Sequence, residues 1–257
     1  MPTHAISTRL AWEPGPFTPS LSSDQVHVWR FHLDDQASET CQRLRSWLSA
    51  EECTRADRFH RVRDRQRFLI GRGALRDLLG RYVGLLPQDL RFATGPFGKP
   101  RLEQPNDSAI QFNLSHSHGH GVIAVSKGRE LGIDIEMMRP MENMDAIANR
   151  FFAVGEHSTY LAQPEALRPL AFFRVWTRKE AYLKATGTGI SVPLDSFEVT
   201  VDPGDPPAIR HVADQPDEAA RWSMREFWPQ ADALVSLAVE GQGWATYGYD
   251  YSPRDSC

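Results

Sequence analysis

The sequence is poor in cysteine, has no surplus of positive charge and contains no long apolar run, and each lack narrows what the chain does. Its three cysteines, Cys41, Cys53 and Cys257, have neither an even count nor metal-ligand spacing. They point to reduced thiols rather than a disulfide framework or a cysteine metal site. Lysine and arginine total 29 against 33 aspartates and glutamates, a formal net charge of -4. Nucleic acid is therefore not expected as a general partner, because binding to a phosphate backbone shows as a basic surplus. The opening MPTHAISTRLAWEPGPF lacks the apolar core of a secretory signal, and no stretch approaches the ~20 apolar residues of a membrane span. These features predict a cytoplasmic protein outside the membrane. Low-complexity segments are absent, and no internal repeat is legible in the letters.

What is present describes an ordinary globular chain. Hydrophobic residues at 41% and charged residues at 24% match soluble proteins generally. A length of 257 residues suits one large domain or two of ordinary size. Residues 1–24 carry Pro14, Pro16 and Pro19 with Gly15 and read as an irregular N-terminal arm. Val26 to Leu33 reads as a strand, and Ser49 followed by Glu51 and Glu52 reads as a helix start. From Arg55 to Tyr82 apolar residues recur at helical spacing among nine arginines. Most of those arginines are expected in ion pairs or on a solvated face, with one or two available to an anionic ligand. TGPFGKP at 94–100 is a turn, and short strand signals follow around 110–114, 122–125 and 131–135. Residues 143–186 read as helices, and strands return near 197–201, 222–227, 234–239 and 245–247. Strands and helices twice over predict an α+β protein of two similar α/β halves meeting near 128: 25–128, then 129–250, with a tail at 251–257.

Three short stretches carry candidate chemistry. NLSHSHGHG, 113–121, sets His116, His118 and His120 at alternate positions. On an extended chain these share one face, which suits zinc, although nothing nearby supplies a fourth ligand. The other reading gives one histidine a phosphate to bind. In GIDIE, 132–136, Ile133 and Ile135 point to a core while Asp134 and Glu136 share the opposite face. Two carboxylates so close repel unless a cation lies between them, and oxygen ligands suit magnesium. The alternative is an exposed edge strand with acidic residues. In FFRVWTRKEAYLKATGTG, 172–189, Glu180 and Lys184 are four apart on a helix, with Lys179 alongside. Such a pair is most often a surface ion pair, and it also fits an anionic, metal-bearing substrate.

Together FNLSH, GIDIE and WTRKEAYLK resemble the 4'-phosphopantetheinyl transferases, of the larger surfactin-synthetase type that carries two similar halves on one chain. FGKP at 97–100, RFF at 150–152 and SVPLDSF at 191–197 fall in that family's order, and the resemblance spans about residues 25–240. It implies a pseudo-dimeric fold and transfer of the phosphopantetheine arm of coenzyme A to a serine of an apo acyl or peptidyl carrier protein, releasing 3',5'-ADP. It further implies magnesium held by Asp134, Glu136 and Glu180, with Glu180 as ligand, base or both, and Lys184 on the pyrophosphate with Lys179 as a lesser candidate. Coenzyme A would be held by Arg55, Lys99, Pro100, Ser115 and His116, with His116 on the 3'-phosphate. In this reading His118 and His120 have no role. Where the family often carries two basic residues three apart, this sequence has Glu52 and Arg55. Met137, Met138, Arg139, Arg150, Phe151 and Phe152 are candidates for the carrier-protein surface or for ordinary packing. The implied state is a monomer. The rival readings are a non-catalytic coenzyme A or nucleotide-binding protein, and a metal-dependent pyrophosphate hydrolase.

Overall fold

From Trp12 to Asp250 the chain lays down, among its described residues, twelve strands and six α-helices. The structure is a computed structural model that describes residues 10–34, 38–103 and 109–254. Cys257, the first nine residues of the arm and the last three of the tail lie outside the described residues. The first series is β1 (Trp12–Pro14), β2 (Gln25–His32), α1 (Ser38–Ser46), α2 (Ala50–Asp57), α3 (Val62–Val83), β3 (Phe92–Thr94), β4 (Pro100–Leu102), β5 (Ile110–Ser117) and β6 (His120–Lys127). The second is β7 (Leu131–Met137), α4 (Met144–Phe151), α5 (Val154–Ala162), α6 (Arg168–Thr186), β8 (Phe197–Val199), β9 (Ile209–Val212), β10 (Trp222–Gln230), β11 (Ala233–Glu240) and β12 (Ala245–Asp250).

The repeat that the letters conceal is plain in the topology. One strand, three helices, a small antiparallel pair and two more strands occur twice, from β2 to β6 and from β7 to β11. Each series closes into an antiparallel sheet in the same order, β2-β6-β5 and β7-β11-β10. The chain thus forms the α+β architecture of two similar halves.

Alternation along the strands explains how the halves meet. On β2 and β6, Val26, Val28, Val122 and Ala124 pack against Ile133, Ile135, Val235 and Leu237 of β7 and β11, a core shared by the two sheets. The opposite faces each receive a helix, as period-2 side chains require. Trp29, Phe112 and Ile123 meet Ala74, Leu75, Leu78 and Leu79 of α3. Leu234 and Ala238 share a core with Ala171, Val175 and Ala181 of α6. The layers therefore run helix, sheet, sheet, helix.

Two regions differ from the sequence-based expectation. β12, placed by sequence in the second half, lies parallel to β2 in the sheet of the first half, with β1 paired outside it. The arm read as irregular therefore contributes an edge strand. The physical reason is the open edge of β2, whose unpaired backbone groups β12 satisfies. The residues after β12 are fixed to α3 through the buried Asp77, which accepts from the Tyr251 hydroxyl at 3.0 Å and pairs with Arg254 at 2.7 Å and Arg81 at 2.6 Å.

Candidate active site

The site lies where β7, the free edge of one sheet, meets β5, the free edge of the other, beneath α6. Gly132 makes this approach possible. A Cβ at that position would lie 2.2 Å from both the Ala181 carbonyl oxygen and the Ala185 amide nitrogen, so any side chain would push α6 off the strand. The contact brings the C-terminal turns of α6 over the polar face of β7.

Asp134 is 4% exposed. Its Oδ1 accepts from Lys184 Nζ at 2.5 Å and from the Ser115 hydroxyl at 2.9 Å, while its Oδ2 is buried without a hydrogen-bond partner. Glu136 is half-buried, and its Oε2 accepts from the Ser117 hydroxyl at 2.8 Å. Burial pushes the Glu136 carboxyl above the ordinary range against the opposing effect of the Ser117 bond, and neighbouring Asp134 adds to the rise. Glu180, half-buried on α6, is raised in the same way by burial and by Asp134, with Lys184 pulling back. Beside them opens a cavity of about 250 Å³ bordered by Phe97, Gly98, Pro100, Asn113, Glu180 and Lys184. The exposed edge-strand reading of GIDIE fails, because residues 131–135 are all buried.

These residues fit a hard divalent cation in donor chemistry. The orphaned Asp134 Oδ2 and two carboxyls raised by burial form an oxygen set whose charge the single Lys184 ammonium offsets only in part. Among the described residues, no three histidine, cysteine, aspartate or glutamate side chains converge closely enough to hold an ion as they stand. Magnesium ordinarily takes one or two protein carboxylates and completes its shell with water and substrate phosphate, so a closed cage is not required.

The other expected residues divide. Ser115 and Pro100 border the carboxylate site and its cavity. His116 is exposed beside Lys184 and Arg67, and desolvation by the surrounding protein together with the Lys184 charge lowers its pKa. Lys99 lines the cavity as well. Its ammonium is buried and fully used, donating to Glu130 Oε2 at 2.8 Å, the Leu131 carbonyl at 3.0 Å and the Ala185 carbonyl at 2.8 Å. Lys179 is a correction: it is 0% exposed, paired with Glu156 at 2.8 Å and donating to the carbonyls of Leu194 and Phe197. One residue of helix turns it by about 100°, away from the Glu180 face. Arg55 is exposed at a separate shallow pocket with Glu51, Thr54, Arg58 and Phe59, its guanidinium over the Phe68 ring. Glu52 is a structural hub. It completes a capping box with Ser49 and accepts from Arg72 at 2.5 Å and Arg76 at 2.7 Å. Burial drives its pKa up, but the two guanidiniums and the Ser49 amide prevail and hold it low. Phe152 is core, whereas Arg139 and Arg150 are exposed.

The three-histidine zinc reading fails on geometry. Ser117 pairs with His120 across a two-residue hairpin whose His118 and Gly119 have φ of 44° and 87°. Both residues have the positive φ of a type I' turn. The chain reverses there, so alternation does not continue. His116, paired with Gly121, leaves from one face of the hairpin and His120 from the other. Sequence reasoning passed over Gly132, Asn113 and Ser117. The last two were visible as a polar alternation in NLSHS on a strand otherwise apolar.

Comparison with known proteins places the whole chain in one family. A model described as 4'-phosphopantetheinyl transferase, N-terminal, matches residues 35–128, and one described as 4'-phosphopantetheinyl transferase superfamily matches residues 130–237. The chain is 39% identical over 241 residues to the 4'-phosphopantetheinyl transferase HetI of Nostoc sp., covering 93% of this chain and 98% of that protein. It is 35% identical over 175 residues to the 4'-phosphopantetheinyl transferase Sfp of Bacillus subtilis, covering 68% of this chain and 76% of the relative. The corresponding enzyme psf-1 of Bacillus pumilus is 37% identical over 166 residues, covering 64% and 69%. The chain belongs to the 4'-phosphopantetheinyl transferase superfamily.

Proposed function

We infer that this protein transfers the 4'-phosphopantetheine arm of coenzyme A to a serine hydroxyl of an apo acyl or peptidyl carrier protein, with magnesium at Asp134, Glu136 and Glu180. The observation that carries the residue assignment is the buried, unpartnered Oδ2 of Asp134, on a carboxylate whose other oxygen accepts from Lys184 of α6, the helix that also carries Glu180.

Magnesium, when bound, supplies neutralisation of the pyrophosphate charge. Glu180 takes the proton of the carrier serine, a role for which its raised pKa suits it. The serine oxygen forms a bond to the phosphorus bearing the pantetheine arm, and the bond from that phosphorus to the bridging oxygen breaks. The electron pair leaves with 3',5'-ADP. Lys184 faces the leaving phosphate as a mobile ammonium, having among the described residues only the Asp134 and Ser115 oxygens as partners. The Lys99 ammonium holds the FGKP loop against β7 and the end of α6, shaping the pocket for coenzyme A. His116 meets the 3'-phosphate, whose charge favours the protonated ring. Arg139 and Arg150, with half-buried Phe151, face the acidic carrier. Both halves lie on one chain with the site at their seam, so the working unit is the monomer. Among the described residues no helix is long and apolar enough to cross a membrane, in keeping with a cytoplasmic enzyme.

Intact-protein mass spectrometry of an apo carrier incubated with this protein, coenzyme A and magnesium tests the reading. A gain of one phosphopantetheine, abolished by a chelator, is expected. Bound but unreacted coenzyme A would instead support a binding protein, and free cleaved products a hydrolase.

A further inference from the structure

The two sheets meet edge to edge at β5 and β7 without a backbone ladder between those strands. Side chains replace it. Asn113 Oδ1 accepts from the Ile133 amide at 2.9 Å, Ser115 Oγ from the Ile135 amide at 3.4 Å, and Ser117 Oγ from the Met137 amide at 3.3 Å. Alternate residues of β5 thus satisfy alternate amides of β7, and an edge that would otherwise be open is closed. The amides bound this way flank the carboxylates on either side.

Ser117 does more than close the edge. It is 7% exposed, and its oxygen has two lone pairs and one proton. The Met137 amide takes one lone pair, and the His118 Nδ1 lies 3.1 Å from the same oxygen. The single proton is left for Glu136 Oε2 at 2.8 Å. Glu136 has no other hydrogen bond among the described residues, so this contact alone fixes the rotamer of its carboxylate. Ser115 makes the matching donation to Asp134, but Lys184 holds that carboxylate as well.

We propose that Ser117 is a positioning residue, reaching across from the N-terminal half to orient the Glu136 carboxylate toward the metal. This rests on the reading of Glu136 as a magnesium ligand. Hydroxyl support of this kind around a ligand usually affects metal affinity by ten- to a hundredfold.

The test compares wild type, Ser117→Ala, Ser117→Thr and Glu136→Gln by two readouts. The first is manganese binding in the presence of coenzyme A, followed by electron paramagnetic resonance. The second is the magnesium concentration giving half-maximal transfer. Ser117→Ala is expected to weaken manganese binding about tenfold and to raise the magnesium requirement in step, with the maximal rate regained at saturating metal. Ser117→Thr, which keeps the hydroxyl, restores wild-type affinity. If Ser117→Ala does not fold, Ser117→Cys fills the same space with a weak donor and carries the same expectation. Unchanged metal binding in Ser117→Ala, alongside weakened binding in Glu136→Gln, would reduce Ser117 to a seam contact and overturn the proposal. Wild-type metal binding in Glu136→Gln would overturn the ligand reading itself, and this proposal with it.

Discussion

The two halves are built alike and differ in what fills the space between first strand and long helix. In the N-terminal half that face of β2 carries His27, Trp29 and Phe31, all buried against α3 and its flanks. In the C-terminal half the matching face of β7 carries Gly132, Asp134 and Glu136, with Glu180 and Lys184 on α6 above them. One half closes the gap with aromatic volume. The other brings its helix to backbone contact at a glycine and leaves charged groups facing a cavity. Repetition of a stable scaffold has left one copy free to hold groups that a core would exclude, because buried carboxylates are tolerated only with partners.

Substitutions that treat the halves alike should therefore have unlike results. The largest effect is expected from Gly132→Ala. Its Cβ meets backbone atoms that cannot swing aside, so we expect a stability loss of about 3 kcal/mol or more and no measurable transfer. A variant with wild-type melting and activity would show that α6 does not need this approach. Trp29→Ala removes a fully buried indole whose ring lies 4.9 Å from that of Tyr249, tilted by 40°, and which donates to the Tyr82 hydroxyl. We expect it to cost about 3–5 kcal/mol while the folded fraction keeps its turnover number, since this half is scaffold at that position. Loss of turnover in fully folded protein would break the comparison.

Acid separates the halves with opposite signs. His27 is buried, its Nδ1 2.8 Å from the Tyr82 hydroxyl, and burial lowers its pKa from 6.5 to about 4. Because the folded value is depressed, the unfolded chain binds the proton first. The His27 contribution is fully present above pH 6.5 and is lost as pH falls toward 4, on the order of 3 kcal/mol. Glu136 and Glu180 have raised pKa values. Their protonation relieves a penalty that burial imposes at neutral pH, so they gain stability as pH falls through the folded value. Denaturant melts at stepped pH should show the His27 loss flattened in His27→Gln, which keeps an acceptor for Tyr82. An unchanged slope would remove His27 as its origin. The smallest effect is expected at the hairpin. His118→Asn suits the positive φ of that turn and should stabilise by a few tenths of a kcal/mol. A loss above about 1 kcal/mol would contradict the turn description.

Much of the site was legible because its chemistry is written in short spacings. Asp134 and Glu136 on a strand, and Glu180 and Lys184 on a helix, are two and four residues apart, and local periodicity fixes their faces. What local periodicity could not show is long-range. Lys99 and Lys179 looked like phosphate ligands by residue type, but carbonyls and carboxylates distant in sequence absorb them. Glu52 looked like a missing cation and is the anchor for Arg72 and Arg76. The alternation of His116, His118 and His120 was true of the letters and false of the chain, because a turn of two residues interrupts it. The two halves were legible in the recurring order of strands and helices, whereas no repeat of letters shows because the side chains have diverged from aromatic to acidic.

The central claim is that chemistry resides in the carboxylates of the C-terminal half, and Glu180→Gln tests it most directly. Transfer to an apo carrier is read by intact mass, with coenzyme A binding measured on the same preparation. The account predicts coenzyme A affinity within a few-fold of wild type and transfer reduced by about 10²–10⁴. Undiminished turnover in Glu180→Gln would contradict it.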